Sequence, residues 1–242
     1  MSKLAEKVAI VTGAGRGLGR AIARGLAREG ARIVITARSK DELAETAAEL
    51  SALAAPVLSL SGDITDEKHI DVLFQQTVDR FGRLDLLVNN AGAFDGGPLD
   101  ELSTEAWDKV IAVNLRAPFL CTRAALKIMK PQRAGRIINI GSISAQRVRP
   151  QSAPYSASKH GLWGLTQVTA LEGREFGVTC CCLHPGNIHV ERRHTDKPED
   201  AEPMMTSDEA AEVAVLMATL PPHVEMLEAI VLPHQQLYVG RG

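Results

Sequence analysis

A surplus of charge of either sign is missing from this sequence. Its 27 Lys and Arg stand against 29 Asp and Glu, a formal net charge of −2 over 242 residues. Such a balance leaves no electrostatic footprint for nucleic acid or an anionic membrane, and neither is expected as a partner. Long apolar runs are missing too. Met1 to Lys7 lead into Val8-Ala9-Ile10-Val11, which ends at Gly13. That run is too short for the apolar region of a secretory signal or for a membrane span, so the cytoplasm is the expected compartment. The four cysteines include no C-x-x-C pair, and Cys180, Cys181 and Cys182 are consecutive. Adjacent residues on a strand point to opposite faces, which makes a poor disulfide framework. They are expected to be small, buried, apolar residues rather than redox or metal groups. Repeats of solenoid period and low-complexity segments are also missing.

What is present is the composition of an ordinary folded chain, 45% hydrophobic and 23% charged, long enough to bury a full core. Short apolar runs alternate with longer amphipathic ones. Strands are expected at 7–12, 31–37, 56–60, 84–89, 135–141, 178–183 and 226–232. Helices are expected near 17–29, 39–53, 66–81, 103–130, 155–175 and 207–219, with Ser39, Thr65 and Ser103 as N-caps. Runs as apolar as Leu84–Val88 and Ile137–Ile140 imply strands covered on both faces. The pattern is that of one α/β domain over 1–242, a doubly wound and mostly parallel sheet of about seven strands flanked by helices on both faces. The least regular stretch, 186–206, carries charges of both signs, two further prolines and the adjacent Met204 and Met205. It reads as a substrate loop or lid.

The first strand runs into Thr12-Gly13-Ala14-Gly15-Arg16-Gly17-Leu18-Gly19, followed by a helical pattern. A strand, a glycine loop and a helix N-terminus are what a dinucleotide pyrophosphate requires, as in Rossmann-type domains: backbone that can come close, free N–H groups and a positive dipole end. No Gly-Lys-Ser/Thr follows, which excludes a Walker loop. The second strand ends Ala37-Arg38, with no carboxylate until Asp41. An acidic residue there binds a ribose 2′-hydroxyl, whereas arginine suits a 2′-phosphate. Arg38 and Arg16 therefore favour NADP(H). The alternative is that both guanidinium groups are merely solvated and NAD(H) is used.

Tyr155 and Lys159 lie four residues apart, on one face of the expected helix. A free phenol titrates near pH 10, too high for acid–base work at neutrality, and a nearby ammonium favours the phenolate. Bringing the phenol toward neutrality takes roughly 4 kcal/mol of differential stabilisation. A surface tyrosine beside a solvated lysine is the competing reading of that spacing.

From about Val8 to Gly186 the sequence resembles the short-chain dehydrogenase/reductase family. Thr12-Gly13-x-x-x-Gly17-x-Gly19, Asp63, Asn89-Asn90-Ala91-Gly92, Asn114, Ser142, Tyr155-x-x-x-Lys159 and Pro185-Gly186 follow in the family's order and separations. The resemblance implies hydride transfer between NADP(H) and a carbonyl or alcohol substrate. It makes Tyr155 the acid and base, and has Lys159 tune that phenol and bind the nicotinamide ribose. It gives Ser142 the substrate oxygen and Asn114 a water that connects Lys159 to solvent. Asp63 and Ile64 are expected at the adenine. Gly13, Gly17, Leu18, Gly19, Asn90, Ala91 and Gly92 are expected along the cofactor, with Pro185, Gly186 and the backbone around Ile188 at the nicotinamide. Asp63 as a helix cap and Asn114 as a helix-kink residue are the alternatives. The family's subunit pairing through the helices 103–130 and 155–175 implies a homodimer or homotetramer.

Two departures stand out. Val190 occupies the place of the family's usual threonine, and the carboxyl end, Leu232-Pro233-His234-Gln235-Gln236-Leu237-Tyr238, lacks the usual Asp-Gly-Gly. Arg147 and Arg149 fall on the expected pocket rim, where they either favour an anionic substrate or are simply solvated. His184, His189 and His194 recur every five residues, the wrong spacing for a helical metal site, and no metal is expected. A nucleotide-binding regulator without turnover, and a relative that epimerises or dehydrates through transient hydride transfer, are the competing functions.

Overall fold

The computed structural model describes residues 2–189 and 202–238. Seven strands form one parallel sheet in the order β3-β2-β1-β4-β5-β6-β7. They are β1 (Val8–Thr12), β2 (Arg32–Ala37), β3 (Val57–Ser61), β4 (Leu86–Asn89), β5 (Gly135–Ile140), β6 (Val178–Pro185) and β7 (Glu228–Val231). The helices are α1 (Gly17–Arg28), α2 (Lys40–Ala52), α3 (Glu67–Phe81), α4 (Thr104–Ile111), α5 (Ala117–Gln132), α6 (Ala153–Gly173) and α7 (Ser207–Thr219). This is the doubly wound, Rossmann-type α/β fold expected from the strand–helix alternation.

Each strand divides its residues between two cores, because successive side chains leave opposite faces. Ala9 and Val11 of β1 join Ile33 and Ile35, Leu86 and Val88, and Ile138 in a core under α1, α2 and α7. Val8 and Ile10 join Val34, Leu87 and Ile137 in the other, under α3, α5 and α6. Parallel register aligns Ile35, Val11, Val88, Ile138 and Cys181 in one row across five strands. Losing a fully buried member such as Ile10 or Ile35 to alanine costs about 2–5 kcal/mol. The consecutive cysteines fit this pattern. They are free and buried, and burial pushes the Cys181 and Cys182 thiols up to about 12, which makes them poor nucleophiles.

Ser39 and Ser103 cap α2 and α4, accepting the N–H groups of Glu42 and Ala106. The cap of α3 is Asp66, which accepts the Lys68 N–H, and not the expected Thr65. Thr65 is engaged instead as a donor, giving its N–H and its hydroxyl to Asp63. The long helix expected at 103–130 is interrupted. A π turn over Ala112–Arg116 joins α4 to α5, and Asn114 sits at its centre. The strand order reverses between β1 and β4, which opens a crevice at the carboxyl ends of the strands.

Candidate active site

The crevice floor is locked before any ligand arrives. Gly13 has φ +65°, and a Cβ there would lie 2.8 Å from the Ala91 Cα, so only glycine lets the loop after β1 touch the loop after β4. The Thr12 hydroxyl accepts the N–H groups of Asn90 and Ala91, each at 3.0 Å. Asn90 Nδ2 donates back to the carbonyls of Thr12 and Gly13. From behind, Thr46 Oγ1 donates to the carbonyl of Ala14 at 3.0 Å, and Arg20 Nε donates to that of Gly15, also at 3.0 Å. Helix α1 then starts at Gly17 with no side-chain cap and no acidic residue in its first turn. Among the described residues no cap side chain takes up its first N–H groups, an arrangement suited to phosphate. A cavity of about 380 Å³ opens beside Gly17, lined among others by Arg20, Arg24, His189 and Thr206.

The two arginines of the phosphate reading are not equivalent. Arg38 is exposed at the end of β2. Arg16 is paired with Glu42 of α2, Nη1 to Oε1 at 3.0 Å, with both side chains about one-third exposed. Sequence reading passed over Glu42, although its place in the first turn of a helix beside the glycine loop was the available signal. Asp63 is exposed and Ile64 buried at the end of β3. The Thr65 N–H holds the Asp63 carboxyl below its ordinary range, helped by the Thr65 hydroxyl and by Arg38 against the opposing effect of burial.

At the other end, α6 carries Tyr155 and Lys159 side by side. Lys159 is 5% exposed. Its Nζ donates to the Ile140 carbonyl at 2.7 Å and lies 5.6 Å from the centre of the Tyr155 ring. Ser142 follows two residues after Ile140, extended and buried. Its Oγ accepts the Ser144 N–H at 3.1 Å, which leaves the hydroxyl proton to donate elsewhere. Phe94 stands against Tyr155, ring centres 5.3 Å apart, and is 67% exposed. Asn114 turns its side chain onto the backbone of Ala93, accepting its N–H at 2.7 Å and donating to its carbonyl at 2.9 Å. It also donates to Ser158 of α6. The π turn thereby ties the Phe94 loop to the Tyr155 helix.

The far wall comes from β6 and the carboxyl end. Met205 returns to pair with the chain after β6: its N–H goes to the Asn187 carbonyl, and its own carbonyl accepts the His189 N–H. The two described ends of the 186–206 stretch are thus joined, and the lid expected between them, residues 190–201, lies outside the described residues. Val190, His194 and residues 239–242 lie outside the described residues. The tail that sequence reading left without a role packs on this wall. Gln236 Oε1 accepts the Asn187 N–H at 2.9 Å and fills the space a Cβ at Gly186 would take. Tyr238 donates to Gln146, and Arg147 lies over the Tyr238 ring. Arg149 pairs with Glu202 at 3.2 Å, and Glu202 also accepts from Asn187. Both rim arginines have contacts here, and the Arg149 side chain stays half exposed. Among the described residues, no helix is long and apolar enough to cross a membrane.

Comparison with known proteins follows the same lines. A family model described as short chain dehydrogenase matches residues 7–201. The (2S)-[(R)-hydroxy(phenyl)methyl]succinyl-CoA dehydrogenase subunit BbsD of Thauera aromatica is 39% identical over 187 residues, 77% of this chain and 75% of that one. A metagenomic short-chain oxidoreductase crystallised with NADP superposes with a TM-score of 0.83 at 36% identity, over 96% of this chain and 99% of its own. A variant of actinorhodin polyketide ketoreductase with NADPH gives 0.88 at 31% identity, over 96% and 98%. The chain belongs to the short-chain dehydrogenase/reductase family and is an oxidoreductase.

Proposed function

We propose that this oxidoreductase transfers a hydride between NADP(H) and a small carbonyl or alcohol substrate, with Tyr155 as the acid and base. The observation that carries this reading is the placement of Lys159: a buried ammonium, anchored on the Ile140 carbonyl and facing the Tyr155 ring. A surface tyrosine with a solvated lysine has no such arrangement, and a non-catalytic nucleotide binder does not need one.

NADP(H) supplies or accepts the hydride when bound. The glycine cradle fits it, since a Cβ at Gly13 or Gly19 would collide with neighbouring backbone. Gly13, Gly17, Leu18 and Gly19 would hold the phosphates, and Arg38 and Arg16 the 2′-phosphate. Asp63 and Ile64 would border the adenine, while Asn90, Ala91 and Gly92 line the middle of the cofactor. Pro185, Gly186 and Ile188, together with the hydroxyl of Tyr155 and the amine of Lys159, would hold the nicotinamide riboside. In reduction, the Ser142 hydroxyl donates a hydrogen bond to the substrate oxygen and orients it. Tyr155 transfers its proton to that oxygen as charge develops there. The Lys159 ammonium stabilises the negative charge left on the phenol oxygen, and Asn114 would hold a water that links Lys159 to solvent and resupplies the proton. The exposed Phe94 ring beside Tyr155 supports a substrate with an apolar arm. The neutralised Arg149 argues against a purely anionic one. The helices α5 and α6 expose Phe119, Val168 and Leu171, which supports a homo-oligomer, and we place it in the cytoplasm.

The neighbours described with NADP and NADPH support the phosphate preference. The Arg16–Glu42 pair favours the second reading, NAD(H), because it sets a carboxylate beside the guanidinium a 2′-phosphate would need. Fluorescence titration decides between them. Tighter binding of NADPH than NADH is expected, and the reverse order would overturn the assignment. A panel of ketones, aldehydes, sugars and acyl thioesters followed by NADPH absorbance identifies the substrate class. Absence of net cofactor oxidation across the panel would contradict the reductase reading.

A further inference from the structure

β6 reads Val-Thr-Cys-Cys-Cys-Leu-His-Pro, and the histidine is the odd residue in it. His184 is fully buried, between β5 on one side and β7 on the other. A buried imidazole in a strand of small and apolar residues costs desolvation, and a leucine would fill the same space without that cost. Its ring does something no leucine does. Nδ1 lies 2.9 Å from the carbonyl oxygen of Ser142 and 3.3 Å from the amide nitrogen of the same residue. Ser142 is fully extended, φ −172° and ψ 157°. In that conformation a residue's N–H and C=O point to the same side, so one ring nitrogen faces both.

The backbone has made room for this contact. A Cβ at Gly141 would stand 2.5 Å from Nδ1, so the residue before Ser142 must be glycine for the ring to reach the peptide. Trp163 of α6 meets the imidazole edge-on at 5.8 Å and blocks it on that side. Among the described residues Nε2 has no hydrogen-bond partner, and the Glu228 carboxylate of β7 is 3.5 Å from it. Glu228 in turn accepts from Gln146, the residue that ends the turn after Ser142.

We propose that His184 is a positioning residue for Ser142: its Nδ1 clamps the Ser142 peptide in the extended conformation that aims the hydroxyl at the substrate oxygen. The shorter contact is to a carbonyl, which only accepts, so the clamp requires the ring proton on Nδ1; in that tautomer Nε2 is bare and the Ser142 N–H, 3.3 Å away, does not bond to the ring. Burial pushes the ring's pKa down, the Ser142 carbonyl and Glu228 pull it up, and Lys159 pushes it down again. The net lowering keeps the ring neutral at neutral pH, with one N–H to give; protonation would add a donor at Nε2 without removing the one on the carbonyl. Without the clamp, Ser142 is free to leave the extended conformation. Its Oγ then loses both the Ser144 N–H and its aim.

This inference rests on Ser142 being the residue that binds the substrate oxygen, and the experiment separates the two. Asparagine places a nitrogen near the position of Nδ1, glutamine near that of Nε2, and leucine keeps only the volume. With NADPH and 9,10-phenanthrenequinone as the probe, His184→Leu and His184→Gln should lose kcat by on the order of 10- to 100-fold, as a misaimed group does. His184→Asn should stay within about threefold of the parent, and NADPH affinity by fluorescence should hold within about twofold in all three. In a Ser142→Ala background, His184→Leu should have almost no further effect on kcat, because the two residues act as a unit. A packing role gives an additive loss instead. Independently of turnover, hydrogen exchange at the Ser144 amide should accelerate in the leucine and glutamine variants but not in the asparagine one. If Ser142→Ala keeps full kcat, the assignment of Ser142 falls. If Ser142→Ala loses kcat while His184→Leu keeps it, or asparagine and glutamine behave alike in kcat and exchange, the clamp is overturned.

Discussion

The two ends of the crevice are built on different principles. At the Tyr155 end the key groups are buried and held by hydrogen bonds to backbone: Lys159 on Ile140, Asn114 on Ala93, and Ser142 between Ser144 and His184. At the Arg16 end they are one-third exposed or more, and the contact is an ion pair between side chains. Groups that take part in bond making gain from being fixed in advance, in low dielectric, where a small displacement is costly. Groups that recognise a phosphate can be held loosely, since a solvated ion pair is worth only about 0–1 kcal/mol and exchanges partners at little cost. The comparison teaches that chemistry and cofactor choice should respond to mutation on very different scales.

The largest break is expected at the buried end. Lys159→Met removes the ammonium and keeps the chain length, and should lower kcat by on the order of 10²–10⁴ at neutral pH. Steady-state kinetics with NADPH and the best substrate from the panel would check it. A loss under about fivefold would mean that the buried amine serves packing alone. At the exposed end the scale shrinks. Glu42→Gln frees Arg16 and removes a carboxylate from beside the proposed phosphate site. NADPH should bind about three- to fivefold more tightly and NADH within about twofold of the parent, read by fluorescence titration. An equal change for both cofactors would place Glu42 outside phosphate selection.

The smallest effect is on stability. Burial lowers the pKa of His184, and of His69 against the pull of Asp66 and Asp63. Below their unfolded value of about 6.5 the unfolded chain takes up protons that the native chain refuses. Stability is therefore complete above that pH, falls as pH drops from there toward the lowered native values, and levels off below them. Asp85 adds to the loss further down. Burial raises its pKa, but Arg83, the Val8 N–H and Lys7 outweigh burial and hold the carboxyl low. Urea midpoints should decline from pH 7 to pH 5, and His184→Leu should flatten that slope. A parent protein with a level profile over this range would contradict the burial of neutral histidines.

Most of the fold was legible because it depends on local pattern. Apolar runs such as Val8–Val11 and Ile137–Ile140 can only be covered strands, and the glycine loop can only follow the first of them. The motif residues were legible through their resemblance to the family's ordered motifs; the Tyr155–Lys159 spacing alone also fits a surface tyrosine beside a solvated lysine. What stayed hidden depends on partners distant in sequence. Thr65 has the chemistry of a cap, yet Asp63 two residues back takes its hydrogens, and the next residue caps α3 instead. Asn114 shows its π turn only once Ala93 is beside it. Glu42, His184 and Gln236 acquire their roles from Arg16, Ser142 and Asn187, pairings that no window of sequence contains. The available signals were a histidine in an apolar strand and an acidic first turn facing a basic loop.

The central claim is that Tyr155 moves the proton while the rest of the site binds and aims. Tyr155→Phe removes one oxygen from a ring still packed against Phe94, and kcat and NADPH affinity measured together on that variant test the claim most directly. The account predicts a fall in kcat on the order of 10²–10⁴ with the dissociation constant changed by less than about threefold. A variant that keeps more than about a tenth of the parent kcat would contradict it.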